Sequence, residues 1–140
     1  MLVGKDRTDR TNRTNKTIRI MELSKTSMER LEGVDERLKA IVIECAVRCK
    51  FPFNVSEGLR TVEKQREYVR QGKSRTMKSK HLIGKAVDLY PLTMNRKQVD
   101  WSRFDDLAEL MFQVASEQGV AIVWGGNWKS FVDKSHFEMG

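Results

Sequence analysis

A chain of 140 residues, 39% hydrophobic and 32% charged, has the length and balance of one folded domain and is too short for two ordinary ones. No stretch approaches the roughly 18 apolar residues of a bilayer-spanning helix, and the basic N-terminus leads into no apolar segment of the kind a secretory signal needs. The net charge of +7 invites a nucleic-acid reading, yet residues 1–20 hold Lys5, Arg7, Arg10, Arg13, Lys16 and Arg19 against Asp6 and Asp9, a net of +4. The remainder carries only +3 and no basic stripe, so no nucleic-acid partner is expected.

Residues 6–17 repeat Asp-Arg-Thr and Asn-Arg-Thr triplets with no apolar side chain. Such a tract buries too little surface to offset its ordering entropy, which predicts a disordered basic tail over 1–20 and one domain over 21–140. Thr26 and Glu29 have capping-box spacing, predicting a short helix that ends at Gly33. Asp35 is placed to cap a longer helix with Leu38, Ile41, Val42, Cys45 and Cys49 on its apolar face. Cys45 and Cys49, four apart on that face, are expected as buried free thiols, since two such helical positions rarely meet disulfide geometry. Pro52 stops this helix, and Phe53 to Val55 is a short strand. Thr61 caps a third helix with Val62, Tyr68 and Val69, stopping at Gly72. A polar loop over 73–80 follows, in which Lys73 and Lys80 are expected in solvent, as is Lys85. Ala86 to Tyr90 reads as a strand ended by Pro91. Phe104, Leu107, Ala108, Met111, Val114 and Ala115 mark the clearest amphipathic helix, closed by Gly119. Val120 to Trp124 and Phe137 to Met139 complete an α+β domain, a small, mainly antiparallel sheet with helices packed on it.

The chain has two histidines, His81 and His136. Catalytic zinc sites use three protein ligands drawn from imidazole, thiolate and carboxylate groups, with water in the fourth position, and two histidines plus one carboxylate meet that need. His81 and Asp88 are seven apart, so on one continuous strand they would face opposite sides. They converge only if His81 lies in the preceding loop, with Gly84 supplying the turn. A lone histidine is more often a core or surface residue, and the residues by themselves leave both readings open.

The run Ser79-x-His81-x-x-Gly84-x-Ala86-x-Asp88, followed by Trp124-Gly125-Gly126-x-Trp128 and Asp133-x-x-His136, resembles the zinc D-alanyl-D-alanine carboxypeptidase and L-alanyl-D-glutamate endopeptidase family, in particular its phage endolysin branch. Glu57-Gly58-Leu59-Arg60-Thr61, with Gln65 one turn on and Gly72-Lys73-Ser74 after it, is similar to that branch too. The likeness runs from about Leu23 to Glu138; the tail has no counterpart. It implies one Zn2+ per chain, held by His81, Asp88 and His136. It also implies Asp133 as general base and Arg60 as partner of the developing oxyanion. Each has a plain rival: Asp133 capping its own turn, Arg60 as a surface ion-pair partner. Ser79, Gln65, Trp124 and Trp128 are the candidates for substrate contact, with Ser79 alternatively shaping its loop and the two tryptophans alternatively in the core. Glu138 is read as either a strand-surface residue or a support for His136, and is left outside the catalytic set. Asn127 departs from the acidic residue many relatives carry there.

The resemblance implies hydrolysis of peptidoglycan stem peptides, at the L-alanyl-D-glutamate bond, by a monomeric phage or prophage lysis enzyme. Such a protein would be made in the host cytoplasm without a signal peptide and reach the wall through a pore-forming partner. The alternatives are a D-alanyl-D-alanine carboxypeptidase or dipeptidase, and more remotely a non-catalytic zinc-binding or nucleic-acid-binding module.

Overall fold

The structure, a computed structural model, describes residues 23–140; the expected tail at 1–20 lies outside them. Helix α1 (Lys25–Arg30) is capped by Ser24, whose side chain accepts from the Ser27 backbone N–H. The cap is therefore Ser24 and not the expected Thr26, because Ser24 keeps the extended backbone a cap needs while Thr26 is already helical. Asp35 caps α2 (Glu36–Arg48) as its side chain accepts from the Arg37 N–H. Cys49 stands just beyond as the C-terminal cap, and both cysteines are buried and free. Burial pushes the Cys45 thiol up to about 12, so it is an inert core side chain, in contact with Met111 at 3.4 Å.

Strand β1 (Phe53–Glu57) runs two residues past the expected end, and β2 (Ala86–Pro91) takes in Pro91, which pairs with Phe53. Between them, α3 (Val62–Arg70) is capped by Thr61 as expected. Its buried residue is Gln65, however, while Val62 is largely exposed. Helix α4 (Phe104–Glu117) packs against α2 and buries all six apolar positions read from the sequence. Strand β3 (Ile122–Trp124) starts two residues late because the Val120 N–H is still bonded to the Ala115 carbonyl. Strand β4 (His136–Met139) closes a four-stranded sheet of order β1-β2-β4-β3, antiparallel throughout.

The sheet has two unlike faces. Phe53, Val55, Val87, Leu89, Phe137 and Met139 point into the core shared with α2 and α4, where each fully buried large apolar side chain contributes roughly 1.5–3 kcal/mol. Alternation along each strand then puts Asp88, His136 and Glu138 on the other face. A bulge between Val55 and Glu57 breaks that alternation in β1 and sets Glu57 opposite Asp88. Among the described residues, no helix is long and apolar enough to cross a membrane.

Candidate metal centre

The central pair of strands places Asp88 directly opposite His136. His81 reaches them from outside the sheet, on a 3-10 turn (Lys80–Ile83) capped by Ser79, whose side chain accepts from the His81 N–H at 3.2 Å. Gly84 ends that turn at φ +72, and a Cβ there would lie 2.3 Å from the Gly33 carbonyl oxygen, so only glycine lets the chain double back here. The loop origin required by the seven-residue spacing is thus what the fold provides. His81 Nε2 lies 3.2 Å and His136 Nδ1 3.4 Å from the same Asp88 oxygen. One ligand atom from each of the three residues falls within 4.8 Å of the others.

The tautomers follow from the outer partners. His81 Nδ1 is 2.8 Å from the Gly58 carbonyl, which can only accept, so Nδ1 carries the proton and Nε2 presents a lone pair. His136 Nε2 is 2.8 Å from Glu138 Oε1, an arrangement that likewise leaves Nδ1 as the lone pair. Two imidazole lone pairs and a carboxylate oxygen therefore converge, and such a set is stable only with a proton or a cation between them. The protonation preferences agree. Burial pushes the Asp88 carboxyl up, but its contacts with His136 and His81, favourable once a proton is shared among the three groups, outweigh it and hold it well below the usual carboxylate range. Burial pushes His136 down, yet Asp88 and Glu138 together raise it above the ordinary value of 6.5. Side-chain exposures of 2% for His81, 15% for Asp88 and 10% for His136 keep these interactions weakly screened. The donors fit a divalent metal with nitrogen and oxygen preference: two imidazoles, each oriented from behind, and one carboxylate.

Arg60 stands beside this group with its Nη2 3.7 Å from Asp88 Oδ2. It is no surface ion-pair partner: its side chain is 7% exposed. Nε and Nη2 clamp Glu57 at 3.0 and 2.8 Å, and the guanidinium lies 4.6 Å from the centre of the Tyr68 ring. Arg60 Nη1 donates to Gln65 Oε1 at 2.6 Å, and Gln65 Nε2 donates to Ser74 Oγ and the Thr76 carbonyl. Gln65 has no exposed surface, so the expected substrate contact gives way to a buried tie between Arg60 and the loop over 73–78.

A cleft of about 670 Å³ opens over the centre, bordered by Arg60, Ser79, Trp128, Asp133 and Glu138 among others. Trp128 lies 5.1 Å from His136, ring centre to ring centre, and so belongs to the cleft. Trp124 does not: it is buried, stacks on Phe137 and donates its indole N–H to the Lys134 carbonyl. The chain approaches itself closely where the glycine-tryptophan segment meets the Asp133 turn. A Cβ on Gly125 would sit 2.3 Å from the Asp133 carbonyl oxygen, and the Asp133 N–H donates to the Gly125 carbonyl at 3.0 Å. Asp133 Oδ1 accepts from Ser135 Oγ at 2.8 Å and from its N–H at 3.3 Å, so it caps its turn and borders the cleft at once. Lys80, expected in solvent, instead donates to the Met139 carbonyl and pairs with Glu138 at 3.5 Å.

Of the two groups that support the imidazoles, one escapes a motif reading. The Gly58 carbonyl has no side-chain signal at all. Glu138 does have one, since positions i and i+2 of a strand share a face, and this signal places it with His136 once β4 is known to begin there.

The family model described as phage L-alanyl-D-glutamate peptidase matches residues 20–139. The chain belongs to that family. An L-alanyl-D-glutamate peptidase of Listeria phage A118 is 37% identical over 85 residues, which is 61% of this chain and 29% of that protein. The match thus spans under a third of that relative's length. The crystal structure of the Serratia marcescens L-Ala D-Glu endopeptidase ChiX superposes with a TM-score of 0.80 at 34% identity, covering 90% of this chain and 95% of that one. The likeness takes in the sheet and the segments that supply His81, Asp88 and His136.

Proposed function

We propose that the chain is a zinc-dependent peptidase that hydrolyses the L-alanyl-D-glutamate bond of peptidoglycan stem peptides, as a phage or prophage lysis enzyme. The observation that supports this best is the convergence of His81 Nε2, Asp88 Oδ1 and His136 Nδ1, each imidazole held from behind by an acceptor. Membership in the peptidase family and the ChiX likeness supply the bond. Export through a pore made by a partner and action as a monomer complete the reading.

His81, Asp88 and His136 would hold the ion. When bound, zinc supplies a Lewis acid and lowers the pKa of its water from about 15.7 toward about 7. The residues of the chain do the rest. Asp133 keeps Oδ1 on Ser135 and has Oδ2 with which to accept the water's proton and return it to the departing glutamyl amine. Arg60, permanently charged and fixed by Glu57 and Gln65, offsets negative charge growing on the scissile carbonyl oxygen. Glu138 and the Gly58 carbonyl keep both imidazoles in the ligating tautomer, and Trp128 covers one side of His136.

The deciding experiment is mass spectrometry of purified muropeptides digested by zinc-loaded protein. The expected products end in L-alanine on one side and begin with D-glutamate on the other. Release of terminal D-alanine with the L-alanyl-D-glutamate bond intact would refute the proposed bond, and no cleavage at all would refute the activity.

A further inference from the structure

The charges around the cleft do not balance. Glu57 is matched by Arg60 and Lys64, and Glu138 by Lys80 and His136. Asp88 faces the two histidines. That leaves Lys73, Arg75 and Lys78 bordering the cleft with no carboxylate at ion-pair distance among the described residues, against Asp133 alone among the remaining lining carboxylates. Lys73 feels Glu67 only at longer range, and Glu67 is already held by Arg70 and Gln71.

These cations sit on a segment fixed in place. The Lys73 and Ser74 N–H groups both donate to the Tyr68 carbonyl, and Gln65 pins Ser74 and Thr76 from below. The Lys78 N–H donates to Thr76 Oγ1. Arg75 reaches across the opening, its guanidinium 4.8 Å from the centre of the Phe131 ring on the far wall. Gln65 also holds Arg60, so the loop is positioned relative to the metal centre through one buried amide.

We propose that the loop over 73–78 recognises the free carboxylate of the glutamyl residue on the leaving side of the scissile bond, with Arg75 and Lys78 as its main contacts. The inference rests on the proposed cleavage at L-alanyl-D-glutamate. A glutamyl residue has two carboxyl groups, and continuation of the peptide consumes only one. The other remains ionised at neutral pH, a few bonds from the bond that breaks. Amidation replaces it with a neutral carboxamide of nearly the same shape, which offers a cation much less. The enzyme is therefore selective for stem peptides with an unamidated glutamate.

The test uses two soluble peptides that differ only in that group, carboxylate against carboxamide, with zinc-loaded wild type, Arg75→Gln, Lys78→Gln and the double variant. We expect wild type to favour the carboxylate peptide roughly tenfold in kcat/KM, the scale of a few exposed ion pairs acting together. The preference should shrink as ionic strength rises, because such pairs are screened over about 8 Å at physiological salt. In the double variant it should fall to about twofold or less. Equal rates on both peptides by wild type would overturn the proposal. So would a double variant that loses activity on both peptides equally with zinc content and melting temperature unchanged, since the loop would then act on something other than the carboxylate. Failure of wild type to cut either peptide between alanine and glutamate refutes instead the function on which this inference rests.

Discussion

Replacing Glu138 by glutamine isolates one contribution to metal binding. Glu138 Oε1 accepts from His136 Nε2 at 2.8 Å, and the carboxylate is 19% exposed. Glutamine keeps an acceptor of the same reach, so the imidazole stays oriented, but the negative charge that strengthens the bond and raises the basicity of Nδ1 disappears. The loss of the Lys80 pair adds little, because the lysine is 37% exposed. Supports of this kind are worth about 10–100-fold in metal affinity, or about 1.4–2.8 kcal/mol at 1.4 kcal/mol per factor of ten. Glu138→Ala removes orientation as well as charge and should fall at or beyond the upper end. Competition titration against a chromophoric zinc chelator measures both variants at one pH, with Glu29→Gln as a remote control. At saturating zinc, the turnover of Glu138→Gln should recover to within about tenfold of wild type. Zinc affinities of both Glu138 variants within twofold of wild type would refute the argument that Glu138 tunes the ligand through His136.

Asp133→Ala should retain a full zinc equivalent yet lose about 10²–10⁴ in turnover; near-normal lysis of purified wall would move the proton-transfer role to another carboxylate, Glu138 first. Gln65→Leu strands Arg60 Nη1 in a buried setting and unties the loop at Ser74 and Thr76, and should cost about 1–3 kcal/mol on denaturant titration, with a drop in activity that zinc does not rescue. The pH dependence of the metal-free protein has a defined sign. His136 is raised by folding, so its contribution is full below its ordinary value of 6.5 and is lost as pH climbs through the raised value. In chelator, His136→Gln should therefore cost more stability at pH 6 than at pH 9, measured by melting temperature. With zinc the order reverses, because the ion competes with that proton.

Much of this protein is legible in its local patterns. Helical spacing of Leu38, Ile41, Val42 and Cys45 and of Leu107, Met111 and Val114 identified the two core helices. Asp35 and Thr61 identified their own caps, because capping is a matter between neighbours in the chain. The seven-residue step from His81 to Asp88 set the condition for the two to meet, a loop position for His81 with the turn at Gly84. What could not be read is whatever depends on contacts distant in sequence. The register that sets Asp88 against His136 is decided by which strands share a core, and so is the start of β4 that turns Glu138 toward His136. The bulge that swings Glu57 toward Asp88 and Arg60 is an irregularity in pairing with β2, invisible in β1 alone. Gln65 lies among exposed neighbours on a polar helix, and only the tertiary structure buries it between Arg60 and the loop. Backbone carbonyls such as Gly58 have no side-chain signature, yet this one fixes the tautomer of His81. The three residues of the centre belong to local motifs and can be read in order along the chain; the groups that orient the two imidazoles include another turn's carbonyl, and only folding brings it within hydrogen-bonding distance.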